Sequence, residues 1–150
     1  MTQRLLFTKP DGSVGIVVPS PNSTLSMDEH AAKAVPAGVS YDIVDSADIP
    51  TDRTFRNSWE VSNARVITDM PKAQLLAQEK IRQAREPVFK KLDTESLLEL
   101  EGAVIPRPTG PRKTLARNST QDARLSAARD PDALKLAMNS VISEVEGLVS

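Results

Sequence analysis

The chain has 150 residues, of which 39% are apolar, 26% charged and only 3% aromatic, with a formal net charge of −1 and no cysteine. That length suits one ordinary domain, or one small domain with an appendage. Without cysteine there is no disulfide framework, thiol nucleophile or Cys-based metal site, and a single histidine, His30, excludes a multi-His metal centre and argues against a catalytic triad. No apolar run approaches the roughly 18–20 residues of a membrane span. The opening MTQRLLFTKPDGS reaches polar turn chemistry before any long apolar stretch, so no signal peptide is expected. The near-neutral charge balance speaks against bulk nucleic-acid binding.

The two halves differ. Residues 1–69 hold 6 Lys/Arg against 9 Asp/Glu, and residues 70–150 hold 13 against 11. Four of the five aromatics, Phe7, Tyr41, Phe55 and Trp59, stand in the first half, and Phe89 stands in the second. An α+β fold is expected: a small β-hairpin-rich N-terminal unit with one short helix over 1–69, followed by a helical C-terminal part.

Arg4–Phe7 and Val14–Val18 predict a β-hairpin around the turn residues Pro10, Asp11, Gly12 and Ser13, stopped by Pro19 and Pro21. Ser26, with Glu29 three residues on, makes a capping box for a helix over Met27–Val35 that ends at Pro36-Ala37-Gly38. Tyr41–Val44 predicts a strand. Trp59–Val61 and Arg65–Ile67 predict a second hairpin across Ser62-Asn63-Ala64.

From Asp69 onward the pattern is helical. Ala77, Ile81, Ala84, Val88 and Leu92 recur on one helix face. Pro87 lies inside that pattern and should kink or break the helix near Glu86, with a restart capped by Asp93, giving a kinked helix over 70–101. Residues 102–112, GAVIPRPTGPR, hold three Pro and two Gly and predict a semi-extended linker. Helices follow over 113–150: a weakly amphipathic one from Lys113 to Arg129, and a last one opened by Asp130-Pro131. Its positions Leu134, Met138, Val141, Val145 and Leu148 form the cleanest periodic face in the chain, one that must pack on its own chain or on a partner.

Candidate chemistry is sparse. His30 has no nucleophile or orienting group that the sequence can locate, and an exposed helix-surface histidine is the plainer expectation. Asp42, Asp45, Asp48 and Asp52 lack the alternation and the glycine of a calcium loop and suggest a solvated acidic rim. Arg107, Arg112, Lys113 and Arg117 carry positive charge without interleaved aromatics, which suggests a solvated linker rather than a base-stacking surface. No phosphate-loop, dinucleotide, nucleophile-elbow or zinc-protease motif is present. No catalytic residue, metal site or cofactor is expected.

The distinctive stretch is Asp52-Arg53-Thr54-Phe55-Arg56-Asn57-Ser58-Trp59. Phe55 and Trp59 are large apolar anchors, and Arg53 and Arg56 offer fork-shaped donors. The stretch serves equally as a structural corner, with Trp59 in a small core and the arginines bonded to the acidic rim. It resembles the DRTFRNAW signature of small proteins encoded in tailed bacteriophages and prophages. The Pro10–Ser13 turn, Val35-Pro36-Ala37-Gly38-Val39, the segment Ile43–Pro50 and the helix Ile81–Asp93 are similar to that group as well. The resemblance covers roughly residues 1–95. It implies a phage origin and a place in the tail or tail-fibre region, and the layout is also similar to tail fibre assembly proteins.

The expectation is therefore a non-enzymatic structural protein of a bacteriophage virion, tail or tail-fibre associated, present in the host cytoplasm during assembly. Its partners would be other virion proteins, or further copies in a homo-oligomer, and neither nucleic acid nor membrane. Contacts would run through Arg53, Phe55, Arg56 and Trp59 and through the face of Leu134, Met138, Val141, Val145 and Leu148. The alternative is a tail fibre assembly chaperone that the finished particle does not retain.

Overall fold

The structure is a computed structural model that describes residues 2–150. The architecture is α+β: small antiparallel sheets come first and helices follow. The chain divides into two compact units, Met1–Lys72 and Ala73–Ser150. The division falls just beyond the expected boundary at residue 69.

In the first unit, β1 (Gln3–Thr8) is the central strand of a three-stranded sheet, paired antiparallel with β2 (Val14–Val17) and β3 (Tyr41–Asp45). The β1–β2 turn is held locally. Asp11 accepts both the Ser13 amide and its hydroxyl, at 2.9 and 2.6 Å. Those bonds hold the Asp11 carboxyl below the usual carboxylate range.

Both faces of the sheet are covered. Helix α1 (Met27–Ala34) lies over the face of Leu5 and Phe7, with Ala31 buried. On the other face, Leu6, Val14 and Val44 pack with Ile49 and Trp59. Gly15 sits opposite Phe7 in the ladder, and a Cβ built on it would stand 2.4 Å from the ring. The capping box of α1 forms as expected: the Glu29 amide donates to Ser26 Oγ and the Ser26 amide to Glu29 Oε2.

A second hairpin, β4 (Trp59–Ser62) and β5 (Arg65–Thr68), adds Val61, Ala64 and Val66 to the same core. Its two-residue turn places Asn63 and Ala64 at positive φ, the geometry that matches strand twist.

In the second unit, α2 (Met70–Leu100) runs as one helix through Pro87, so of the expected kink or break near Glu86 the break, with its restart at Asp93, does not occur. Proline removes one backbone donor from the ladder. The buried stripe Ala73, Ala77, Ile81, Val88 and Leu92 keeps its phase across it, and that burial outweighs one missing bond. The helix ends where expected. Gly102 has φ +91°, its amide donates to the Glu99 carbonyl, and the Ala103 amide donates to the Leu98 carbonyl, a left-handed glycine cap.

The expected linker over 102–112 is shorter than its composition suggested, because α3 (Thr109–Asn118) takes up its last four residues. Proline at position 111 stands in the first turn, where its missing donor costs nothing. The cap comes from another helix: Glu99 of α2 accepts the Thr109 amide at 3.2 Å and its hydroxyl at 2.7 Å. The single helix expected over 113–129 is also corrected. After α3 the chain makes a short turn at Ser119–Gln121 and then α4 (Ala123–Ala127), capped by Asp122. The last helix, α5 (Pro131–Glu146), is capped by Asp130, which accepts the Ala133 amide at 2.8 Å.

Candidate interaction surfaces

The stretch Asp52–Trp59 folds as a corner. Asp52 accepts the Thr54 amide at 2.9 Å and the Thr54 hydroxyl at 2.6 Å. The Phe55 carbonyl accepts the amide and hydroxyl of Ser58, and the Ser58 carbonyl accepts the Asp69 amide. Ser58 is fully buried, and Phe55 and Trp59 are each only 3% exposed.

That burial corrects one expectation and selects another. Phe55 and Trp59 have no free surface to offer a partner, because Trp59 is committed to the core with Leu6 and Val44. Arg53 is exposed and Arg56 half-buried. Neither side chain makes a hydrogen bond or ion pair among the described residues, so the expected bonding to an acidic rim is absent there. Asp45 instead caps the turn Ser46–Asp48 by accepting the Ala47 amide.

The face expected to bind a partner on the last helix is likewise covered within the chain. Leu134, Met138, Val141 and Val145 are 0–4% exposed, and Leu148, half-buried, lies beyond α5 in a short closing turn. A helix with this moment has to bury its stripe somewhere, and here its own chain supplies the cover. Val141, Val145 and Leu148 line a cavity of about 200 Å³ together with Leu115, beside Asp122 and Glu144. Arg124 braces those acids, donating to both oxygens of each at 2.8–2.9 Å. Its hydrogen bonds hold both carboxyls below their ordinary range.

The basic cluster expected to be solvated contains the most enclosed charge in the unit. Arg112 is 6% exposed. It pairs with Glu95 and donates to the carbonyls of Pro108, Leu148 and Arg107. Arg107 donates to the carbonyls of Leu148 and Ser150, and Arg85 to that of Arg117. Lys113 pairs with Asp93 at 2.7 Å. Their acceptors lie up to 43 residues away, a separation that no local pattern encodes.

His30 does have a neighbour that sequence spacing did not reveal: Ser23 Oγ lies 2.9 Å from Nε2. The same oxygen accepts the Leu25 amide, and no carboxylate is hydrogen-bonded to the ring among the described residues. The pair closes the loop that leads into α1. No group of acids and histidine among the described residues is arranged to hold a metal ion. Among the described residues no helix is long and apolar enough to cross a membrane.

One further groove, of about 270 Å³, lies on the sheet face that carries Ile16. Arg4 and Arg53 both line it, with Ile16, Val18, Ile49 and Pro50 as its apolar part and Ser46 and Thr51 as hydroxyls. Comparison with known proteins adds no relative: no family model, no curated protein and no solved structure matches this chain.

Proposed function

We propose that the chain is a non-enzymatic structural protein of a tailed-bacteriophage virion, tail or tail-fibre associated, that works through contacts with other virion proteins or with further copies of itself. The observation that carries this is the Asp52–Trp59 signature, supported by the similar segments at Pro10–Ser13, Val35–Val39, Ile43–Pro50 and Ile81–Asp93. Because Phe55, Trp59 and the Leu134–Val145 stripe are buried, the contacts belong to exposed groups instead. Arg53 is one. Leu97, Leu100 and Val104, 62%, 84% and 94% exposed at the far end of α2 and just after it, are others.

The test is mass spectrometry of purified particles of the phage that encodes the chain, with copy number per particle. Stoichiometric presence is expected, in a multiple that fits a symmetric tail or fibre. Absence from clean particles, with abundance in the infected-cell lysate, overturns the structural assignment in favour of the assembly chaperone.

A further inference from the structure

We propose that the groove between Arg4 and Arg53 docks an acidic segment of a partner protein, with one Asp or Glu carboxylate held between the two guanidinium groups.

The two arginines come from distant parts of the chain, β1 and the loop after Pro50, yet they line one groove. No Asp or Glu lines it with them. Of the acids on the neighbouring segment, Asp45 caps the Ser46–Asp48 turn, Asp52 accepts the Thr54 amide and hydroxyl, and Asp48, though adjacent to Ile49, does not line the groove. Arg4 donates only to the adjacent Gln3 carbonyl, at 3.1 Å, and the Arg53 side chain donates to nothing among the described residues. Two guanidinium groups on a groove that no carboxylate lines complement an incoming carboxylate, whose two oxygens match their paired donors.

The apolar part sets the rest of the ligand. Ile16, Ile49 and Pro50 give cover to an aliphatic side chain next to the acid. The groove also runs along an outer strand. The Lys9 amide donates to the Ser13 carbonyl, so in the β1–β2 ladder residues 15 and 17 face β1. The backbone groups of Val14 and Ile16 therefore point to the open side, where no strand pairs with them. An extended peptide can use those groups while its acid reaches the arginines. A free small acid would use the arginines alone. The inference stands on the groove and not on the virion assignment, so either can fail without the other.

The experiment is a selection of seven-residue peptides from a displayed random library on the full chain. The R4Q/R53Q double variant serves as the counter-target. Winners are expected to carry an Asp or Glu beside Val, Ile or Leu. Calorimetry should then show about a tenfold loss of affinity for R53Q, and a similar loss when the peptide acid becomes Gln or Asn, the size expected for one charge-assisted contact. Arg53 is exposed and has no side-chain bond to lose, so R53Q alone carries the test if the double variant does not fold. No enrichment, winners without an acid, or binding indifferent to R53Q overturns the proposal. Isovalerate that competes with an affinity equal to the best peptide's also overturns it, because the site would then be one for small acids.

Discussion

The two units solve the same problem, satisfying polar groups around a modest core, in opposite ways. In Met1–Lys72 most side-chain caps act within three residues: Asp11 on Ser13, Ser26 on Glu29, Asp45 on Ala47, Asp52 on Thr54. In Ala73–Ser150 the decisive ones reach across the unit: Arg85 to the Arg117 carbonyl, Glu99 to Thr109, Arg112 to the Leu148 carbonyl and Arg124 to Glu144. The sheet supplies long-range order through its backbone ladder, so its side chains need only hold turns. Helices satisfy their backbones internally and leave their ends bare, so something must tie end to end. Here long side chains, mostly arginine, do so.

The contrast can be broken from either side. The largest effect is expected for Trp59→Ala, which empties the core of the first unit and should cost about 3–5 kcal/mol in chemical denaturation. Next is Arg112→Met. It takes the Arg112 guanidinium from Glu95 and from the carbonyls of Arg107, Pro108 and Leu148, the last of which keeps Arg107, and a loss of about 3 kcal/mol is expected. Hydrogen exchange should rise across Thr109–Asn118 and leave β1–β3 unchanged. Equal acceleration in the sheet would refute the division of labour.

Gly102→Ala is a smaller probe. Nothing lies within 4 Å of the added carbon, so only the left-handed backbone at φ +91° resists it, and about 1 kcal/mol of thermal stability should go.

The smallest effect is one of pH. The Asp122 and Glu144 carboxyls are held below their ordinary values of 3.8 and 4.5 by hydrogen bonds from Arg124. A lowered folded-state value means that the contribution is complete above those ordinary values and is lost as pH falls through and below them. Protection of the Ala123–Ala127 amides, measured against their intrinsic exchange rate at each pH, should therefore fall in acid. In Glu144→Gln only the Glu144 share of that acid dependence should be gone, with the Asp122 share left in place, while protection at neutral pH is already somewhat lower.

The same contrast explains what was legible in the sequence. Both hairpins, the Ser26–Glu29 capping box, the Gly102 stop and the start of α5 at Asp130-Pro131 are local signals, and all of them appear. The misses are non-local. At Pro87 the local rule left a kink and a break open, and the burial of Val88 and Leu92 decides that the helix goes on. Residues 109–112 have the composition of a linker, and Glu99, ten residues upstream on another helix, turns them into one. Arg112 looked solvated because its acceptor at Leu148 is 36 residues away. At the candidate surfaces, residue type alone could not separate anchor from core for Phe55 and Trp59. The groove of Arg4 and Arg53 exists only once the sheet has brought β1 beside the loop after Pro50.

The contact of Gly15 with Phe7 carries one more consequence. In most half-buried strands polarity fixes the register, because a slip of one residue turns apolar side chains to water. β1 has no such safeguard, since Leu5, Leu6 and Phe7 are all buried and both faces of the sheet are apolar. Size takes over the task. Slide β2 by one position and Val14 or Ile16 comes to lie opposite the Phe7 ring, in a place where not even a methyl fits. The smallest residue of the hairpin thus acts as the notch of a key, and the ring above it admits a single alignment.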